Sequence, residues 1–299
     1  MLESDLPGRP YPAGVAADVP HPARMYDYYL GGKDNFEADR VAAEKAMSVV
    51  PDARNLARSN REFLVRVVRA MTATGISQFL DLGSGFPTPP NVHEAAPGAR
   101  VVYVDNDPVV VSHNKALQTG PGVVSVHGDV RDPRSILSDP AVTGAIDFGQ
   151  PVGILLVAVL HFVTDADRPH DIMRVFRDRM APGSMLAISH LTSDGTPVTV
   201  IQAVREAYAE ATAPIVFRTT GEIEALFGGM RLLEPGLVEL ADWRPELRTT
   251  RAVTTVRWLG AVAQRLRHLA SDHDADASTV RRVRRLVSAV DRRQRTADR

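Results

Sequence analysis

Ile76-Ser-Gln-Phe-Leu-Asp-Leu-Gly-Ser-Gly-Phe-Pro-Thr88 is the stretch that decides the fold. A short apolar run passes straight into a turn with glycines at 83 and 85, and Asp81 stands just before them. Glycine lets a backbone take φ > 0 and approach a ligand closely. At the carboxyl end of a parallel strand, a turn of this kind is where open α/β sheets hold nucleotide-like ligands. The pattern is nearly Asp-x-Gly-x-Gly-x-Gly, with Pro87 in the place of the third glycine.

Working outward, the chain alternates. Strands are expected near 76–82, 100–105, 122–127, 152–160, 184–190, 232–239 and 255–263. Helices are expected near 39–50, 55–73, 90–96, 108–117, 168–180, 196–212 and 220–227. In the second helix Phe63, Leu64, Val67, Val68 and Met71 form one apolar stripe. The continuous apolar run 152–160 reads as a strand covered on both faces, as central parallel strands are. The alternation predicts an α/β fold with a doubly wound, mostly parallel seven-stranded sheet of Rossmann-like type. Helix 196–212 is placed to cap a substrate.

Bulk properties narrow the functional classes. The chain has 299 residues, is 44% hydrophobic and carries a formal net charge of −1. That balance argues against duplex DNA as a global partner. It hides an asymmetry: residues 265–299 hold ten Arg against five Asp, about +5, which leaves about −6 elsewhere. There is no cysteine, so disulfides, thiolate metal sites and cysteine nucleophiles are excluded. His93-Glu94 lacks a second His at helical spacing, and no metal is assigned. No run is long enough to span a membrane, no secretory signal is visible at Met1, and a soluble cytoplasmic protein is expected.

Asp105 closes the second expected strand, 20 residues past Gly85. An ionised carboxylate there offers two acceptor oxygens to the two hydroxyls of a ribose. Asp129 follows the third strand, where it can accept from an exocyclic adenine amine while the Val130 N–H faces a ring nitrogen. Each acidic residue alone reads equally well as a turn former or helix cap; together with the glycine turn they make a cofactor site. A dinucleotide site prefers G-x-G-x-x-G with a helix N-terminus on the pyrophosphate. Here the sixth position is Thr88, and Pro87 and Pro89-Pro90 stiffen the loop. That favours S-adenosylmethionine, which has no phosphate, over NAD.

Several segments carry a family resemblance: Ala23-Arg-Met-Tyr-Asp-Tyr-Tyr-Leu-Gly-Gly-Lys-Asp-Asn-Phe36, Asp-Leu-Gly-Ser-Gly-Phe-Pro-Thr88, Asn91-Val-His-Glu94, Val-Tyr-Val-Asp-Asn-Asp-Pro108 and Gly221-Glu-Ile-Glu-Ala-Leu-Phe-Gly228. From about residue 20 to 263 the chain resembles the actinobacterial S-adenosylmethionine-dependent methyltransferases once grouped as DUF574. The resemblance implies the class I methyltransferase sheet and S-adenosylmethionine as cofactor, and it names no acceptor. It implies that Asp81, Gly83, Ser84 and Gly85 line the methionine end, that Asp105 holds the ribose, and that Asp129 and Val130 read the adenine. Asn106 sits where the wider superfamily often stacks an apolar side chain on adenine.

The remaining expectations concern the edges of the site. The polar, glycine-containing segment Tyr26–Asn35 is expected to form an N-terminal lid over the cofactor, with Tyr28 toward it; a surface loop packed by its tyrosines is the alternative. Arg61 or Arg58 is expected to pair with the cofactor carboxylate, a solvated helix face being the other reading. His161 ends the fourth expected strand, where it would act as a base toward an N–H or O–H acceptor or sit buried against backbone; His190 is a weaker candidate. Residues 1–22 read as a mobile leader, 23–264 as the cofactor-binding domain and 265–299 as a basic amphipathic helix. The function expected is methyl transfer to an acceptor, with a small molecule ahead of a macromolecule. An NAD(P)-dependent oxidoreductase, or a cofactor-sensing regulator whose basic tail reaches nucleic acid, are the alternatives.

Overall fold

A computed structural model describes residues 15–245 and 254–266. The basic segment expected at 265–299 therefore falls, from residue 267 onward, outside the described residues, as does most of the expected leader.

Three helices precede the sheet: α1 (Pro22–Leu30), α2 (Glu37–Val49) and α3 (Ala53–Ala73). The segment expected as a lid thus begins as helix. His21 caps α1 by accepting from Ala23 N–H, and Gly31 ends it at φ +84°, the left-handed closure that glycine allows. The chain then alternates through β1 (Gln78–Leu82), α4 (Val92–Ala95), β2 (Arg100–Asp105), α5 (Pro108–Leu117), β3 (Val123–His127), α6 (Pro133–Ser138) and α7 (Pro140–Ala145). It continues through β4 (Gly153–Val157), α8 (Pro169–Arg179), β5 (Met185–Thr192), α9 (Val198–Ala207) and α10 (Thr220–Ala225). The described residues close with β6 (Arg231–Leu232), β7 (Val238–Glu239) and β8 (Arg257–Gln264).

The strand order is β3-β2-β1-β4-β5-β8-β6, with β7 also paired to β8. The first five strands are parallel neighbours, and β8 runs antiparallel to β5. Two short pieces share the outermost lane beside β8: Leu232 pairs Ala263 and Val238 pairs Gly260. The expected edge strand 232–239 is therefore one strand interrupted by a turn that includes Pro235, a residue that cannot donate to the ladder.

The sheet is packed on both faces. Phe79, Val101, Tyr103, Leu155 and Ala187 meet α3 and the N-terminal helices, while Leu80, Val102, Val104, Ile154, Leu156 and Ile188 meet the opposite layer. This period-2 division explains why β4 and the middle of β2, Val101 to Val104, read as unbroken apolar runs. The stripe Phe63, Leu64, Val67, Val68 and Met71 on α3 is buried as its spacing predicts. α6 and α7 were not expected; each starts at an Asp-Pro pair, Asp132-Pro133 and Asp139-Pro140, with the aspartate capping and proline at the first helical position. The strand order turns outward in opposite directions from β1 and β4. Ligands of open α/β sheets bind at the carboxyl ends of such a pair.

Candidate cofactor site

A cavity of about 340 Å³ opens at that switch point. Asp81, Gly83, Ser84, Gly85, Asp105, Asn106, Asp129, Val130 and Arg61 all line it. Sequence reasoning placed ten residues at the cofactor, and the structure brings these nine together.

The glycine turn is shaped by β2. Val104 O accepts from both Gly83 N–H (2.8 Å) and Ser84 N–H (3.1 Å). Gly85 N–H donates to Asp105 Oδ2 at 2.9 Å, and Asp107 N–H donates to Asp105 Oδ1 at 2.9 Å. The Asp105 carboxylate therefore holds two loops in register while facing the cavity. Ser84 Oγ accepts from the buried Asn114 amide at 2.9 Å. Gly83 and Gly85 take φ +67° and +65°. A Cβ on Gly83 would stand 2.5 Å from Val159, whereas one on Gly85 would meet nothing within 4 Å. Behind the turn, α4 is a single helical turn starting only at Val92. Among the described residues no long helix presents its N-terminus to the glycines, as a pyrophosphate would require.

Two acidic side chains, Asp81 and Asp105, stand at the base of the cavity. Burial raises the Asp81 carboxyl to about 7, aided by Asp105 and opposed by Arg61. Burial likewise raises Asp105 to about 6, although hydrogen bonds from the backbone of Asp107 and Gly85 hold it down. Two carboxyls pushed up side by side are the surroundings in which a cationic ligand is stabilised. Arg61 donates through Nη2 to Thr88 O at 2.6 Å and Pro90 O at 3.1 Å, bracing the proline loop. Arg58, its expected alternative, is exposed and does not line the cavity.

At the far end, Asp129 is gripped by Arg131, whose Nε lies 2.9 Å from Oδ1. Burial alone would raise Asp129, but the hydrogen bonds and charge of Arg131 prevail and hold it below the usual carboxylate range. The Asn106 amide also reaches Asp129, at 3.5 Å.

Two expected residues lie elsewhere. Tyr28 is on the outer side of α1, where its hydroxyl donates to Glu44 at 2.8 Å. His21, Arg24 and Tyr26 are the α1-end residues that face the cavity instead, because a helix turns successive side chains by about 100°. His161 does not end a strand. β4 stops at Val157, Ala158 adopts φ +63°, and the chain folds into a 3-10 turn over Leu160–Phe162. That turn carries His161 out of the cofactor cavity to a buried place against Phe162, His190 and Trp258. His190 is fixed: Nδ1 lies 2.7 Å from Leu191 O, and Nε2 lies 2.8 Å from Arg218 Nη1. The carbonyl and the guanidinium leave it one tautomer, a neutral ring with hydrogen on Nδ1.

Sequence reasoning also missed a hydrogen-bonded chain beneath the cavity. Tyr26 OH donates to Ala57 O (2.9 Å) and accepts from Asn60 Nδ2 (2.9 Å). Asn60 Oδ1 accepts from Ser189 Oγ (2.7 Å), which accepts from Ala158 N–H (2.9 Å). α1, α3, β5 and the end of β4 are thereby locked together, and the left-handed Ala158 is pinned in place. No helix among the described residues is long and apolar enough to cross a membrane.

The sequence pattern of the S-adenosyl methyltransferase family matches residues 10–266. A putative methyltransferase from Thermobifida fusca YX is 40% identical over 86% of this chain and 98% of its own, with a TM-score of 0.80. A DUF574 family protein from Streptomyces avermitilis MA-4680 is 37% identical over 83% of this chain and 98% of its own, with a TM-score of 0.79. No curated protein matches. The glycine turn, the three acidic strand ends and the switch-point cavity thus belong to a chain that is a member of the S-adenosyl methyltransferase family, an S-adenosylmethionine-dependent methyltransferase with a class I Rossmann-like fold.

Proposed function

We propose that this enzyme methylates a small molecule, and that the 340 Å³ cavity holds S-adenosylmethionine along the line from Asp81 to Asp129. The observation that carries the reading is the pair of buried carboxyls, Asp81 and Asp105, raised by burial at one end of a cavity that the open face of Gly85 adjoins. They fit a ligand with a cationic amino-acid end. Asp81 would face the ammonium, Arg61 the carboxylate and Asp105 the ribose hydroxyls. Asp129 and the Val130 N–H would read the adenine edge.

S-adenosylmethionine supplies, when bound, an already activated methyl group that passes to an acceptor lone pair while the carbon–sulfur electrons stay on sulfur. The chain's own work is then to orient and to exclude water. The Tyr26–Asn60–Ser189 chain fixes the Ala158 turn, which lines the cavity. α1 covers the cavity, and Arg24 fastens it there.

The test is equilibrium binding to the full-length protein. S-adenosylhomocysteine should bind with a Kd in the micromolar range and NAD should not bind measurably. Absence of S-adenosylhomocysteine binding, or equal binding of NAD, defeats the placement. Transfer of label from methyl-labelled cofactor to the small-metabolite fraction of a cell extract, freed of macromolecules by ultrafiltration, separates a small acceptor from a protein or nucleic acid.

A further inference from the structure

A second cavity of about 70 Å³ lies beside the first and shares Pro22, Tyr26 and Phe162 with it. Its character is different. Six of its seventeen lining residues are Phe, Tyr or Trp, in a chain where those types make up 6%, and among the described residues no Asp, Glu, Lys or Arg lines it. Its walls come from α1, α2, α3, α9 and the ends of β5 and β8, on the side of the sheet where the Ala158 turn delivers His161.

The polar atoms in this apolar wall are incompletely used. His161 Nδ1 and Trp258 Nε1 are both buried without a hydrogen-bond partner among the described residues. The two rings pack edge to face at 5.4 Å. Tyr29 and Tyr208 share one hydrogen bond between their hydroxyls at 3.0 Å, which uses only one of their two hydrogens. A buried donor or acceptor left unpaired costs about 1–3 kcal/mol, and native structures rarely leave such groups together without a reason.

We propose that this cavity is the methyl-acceptor site and that it takes a small planar aromatic molecule bearing one hydroxyl or ring N–H. Aromatic walls hold a ring edge to face, and the unpaired His161 and Trp258 nitrogens answer one group that both donates and accepts. A cavity of roughly 150 Å³ takes a whole benzene. At about 70 Å³ this one admits part of a single ring, and the ring edge that bears the hydroxyl or N–H lies by His161, whose neighbour Phe162 lines both cavities. That shared wall is where a reacting atom has to be. As the acceptor atom gains a methyl group its remaining hydrogen becomes strongly acidic. His161, kept neutral by burial, can take that proton on Nδ1 in the tautomer with hydrogen on Nε2.

The inference rests on the methyltransferase reading for what the bound molecule receives, whereas binding to the cavity is separable from it. Phenol and toluene are titrated by calorimetry into the full-length protein with and without saturating S-adenosylhomocysteine. Phenol is expected to bind the loaded protein. Ala46→Phe on α2 should fill the cavity and abolish phenol binding with S-adenosylhomocysteine affinity retained, and Val204→Phe on α9 should do the same by an independent route. His161→Phe should weaken phenol roughly tenfold, the loss of one hydrogen bond, and toluene less than about twofold. Phenol failing to bind the wild-type protein in either form overturns the proposal. So does phenol binding that survives both filling variants, or an equal loss for phenol and toluene in His161→Phe. Failure of S-adenosylhomocysteine to bind would instead defeat the cofactor placement, with the phenol titrations still reporting on this cavity.

Discussion

Arg24 on α1 grips Asp107 at the start of α5 through two hydrogen bonds, Nε to Oδ2 at 2.7 Å and Nη2 to Oδ1 at 3.2 Å, between residues 83 positions apart. Both side chains are buried and both line the cofactor cavity. His21 stands 3.5 Å from the same carboxylate, but burial lowers it to about 4, so at neutral pH the ion pair is that of Arg24. Asp107 also caps α5 through Val109 N–H.

Breaking a buried pair leaves an uncompensated charge and costs about 3–5 kcal/mol. Arg24→Leu should therefore lower the melting temperature and weaken S-adenosylhomocysteine binding, because α1 loses its tie to the cavity rim. Arg24→Leu combined with Asp107→Asn, which keeps a capping oxygen, should be less destabilised than the sum of the single variants. Thermal unfolding of the four proteins measures this, and strict additivity would show that the pair does not act as one unit. Ligand should also slow proteolysis around Gly31 if α1 closes as a lid.

Asp105 and Asp129 are expected to fail differently when truncated. Asp105→Ala removes both a ribose acceptor and the anchor of Gly85 N–H and Asp107 N–H. It should weaken S-adenosylhomocysteine by ~1–3 kcal/mol and lower stability as well. Asp129 is partly exposed and tied to its near neighbour Arg131, so Asp129→Ala should spare stability. It should erase the preference for S-adenosylhomocysteine over the inosine analogue, which lacks the exocyclic amine. If the variant discriminates between the two as the wild type does, Asp129 does not read the adenine.

The sequence made the sheet legible because buried parallel strands and amphipathic helices write their burial in residue type. Val101 to Val104 and the stripe on α3 could hardly be read otherwise. The acidic strand ends were legible for a related reason: a carboxylate closing an apolar strand stands out locally. His161 was misplaced because what moves it is a left-handed backbone at Ala158, and alanine carries no signal for positive φ. Neither Arg24–Asp107 nor Asn60–Ser189 was visible, because each pair meets only through the tertiary fold. α6 and α7 did have a local signal in their Asp-Pro starts, which short helices between two strands make easy to pass over.

Asp81 should give cofactor binding a pH dependence. Its folded pKa is raised to about 7 from an ordinary value near 4. The stability it lends is complete below the unfolded value and is lost as pH rises through about 7. Asp105, raised to about 6, acts in the same direction. A ligand with a cationic amino group prefers the ionised carboxyl, so affinity for S-adenosylhomocysteine should rise from pH 6 to 8, with proton release on binding at pH 6.5. Asp81→Asn should flatten that rise, and it should stabilise the unliganded protein more at pH 8 than at pH 5. Calorimetry in buffers of different ionisation enthalpy counts the protons. A wild-type affinity that is flat over this range, or a slope undiminished in Asp81→Asn, would remove Asp81 from the role; the shallower slope left by Asp105 would not.

The two glycines of the opening turn separate folding from binding. Both sit near φ +65°, where a side chain costs roughly 1 kcal/mol of strain. At Gly83 a new Cβ would also meet Val159 at 2.5 Å, and Val159 belongs to the turn that leaves β4. Gly83→Ala should therefore be the more destabilising, by ~2–4 kcal/mol once the overpacking is added, and it should disturb the Ala158 turn. At Gly85 the space ahead of the Cβ is open, so Gly85→Ala should keep most of its stability. If that open space belongs to the cofactor, the same variant should lose S-adenosylhomocysteine affinity by tenfold or more. Chemical denaturation and calorimetry on the two variants give the comparison. A Gly85→Ala protein that binds as the wild type does would mean that the ligand lies away from the turn.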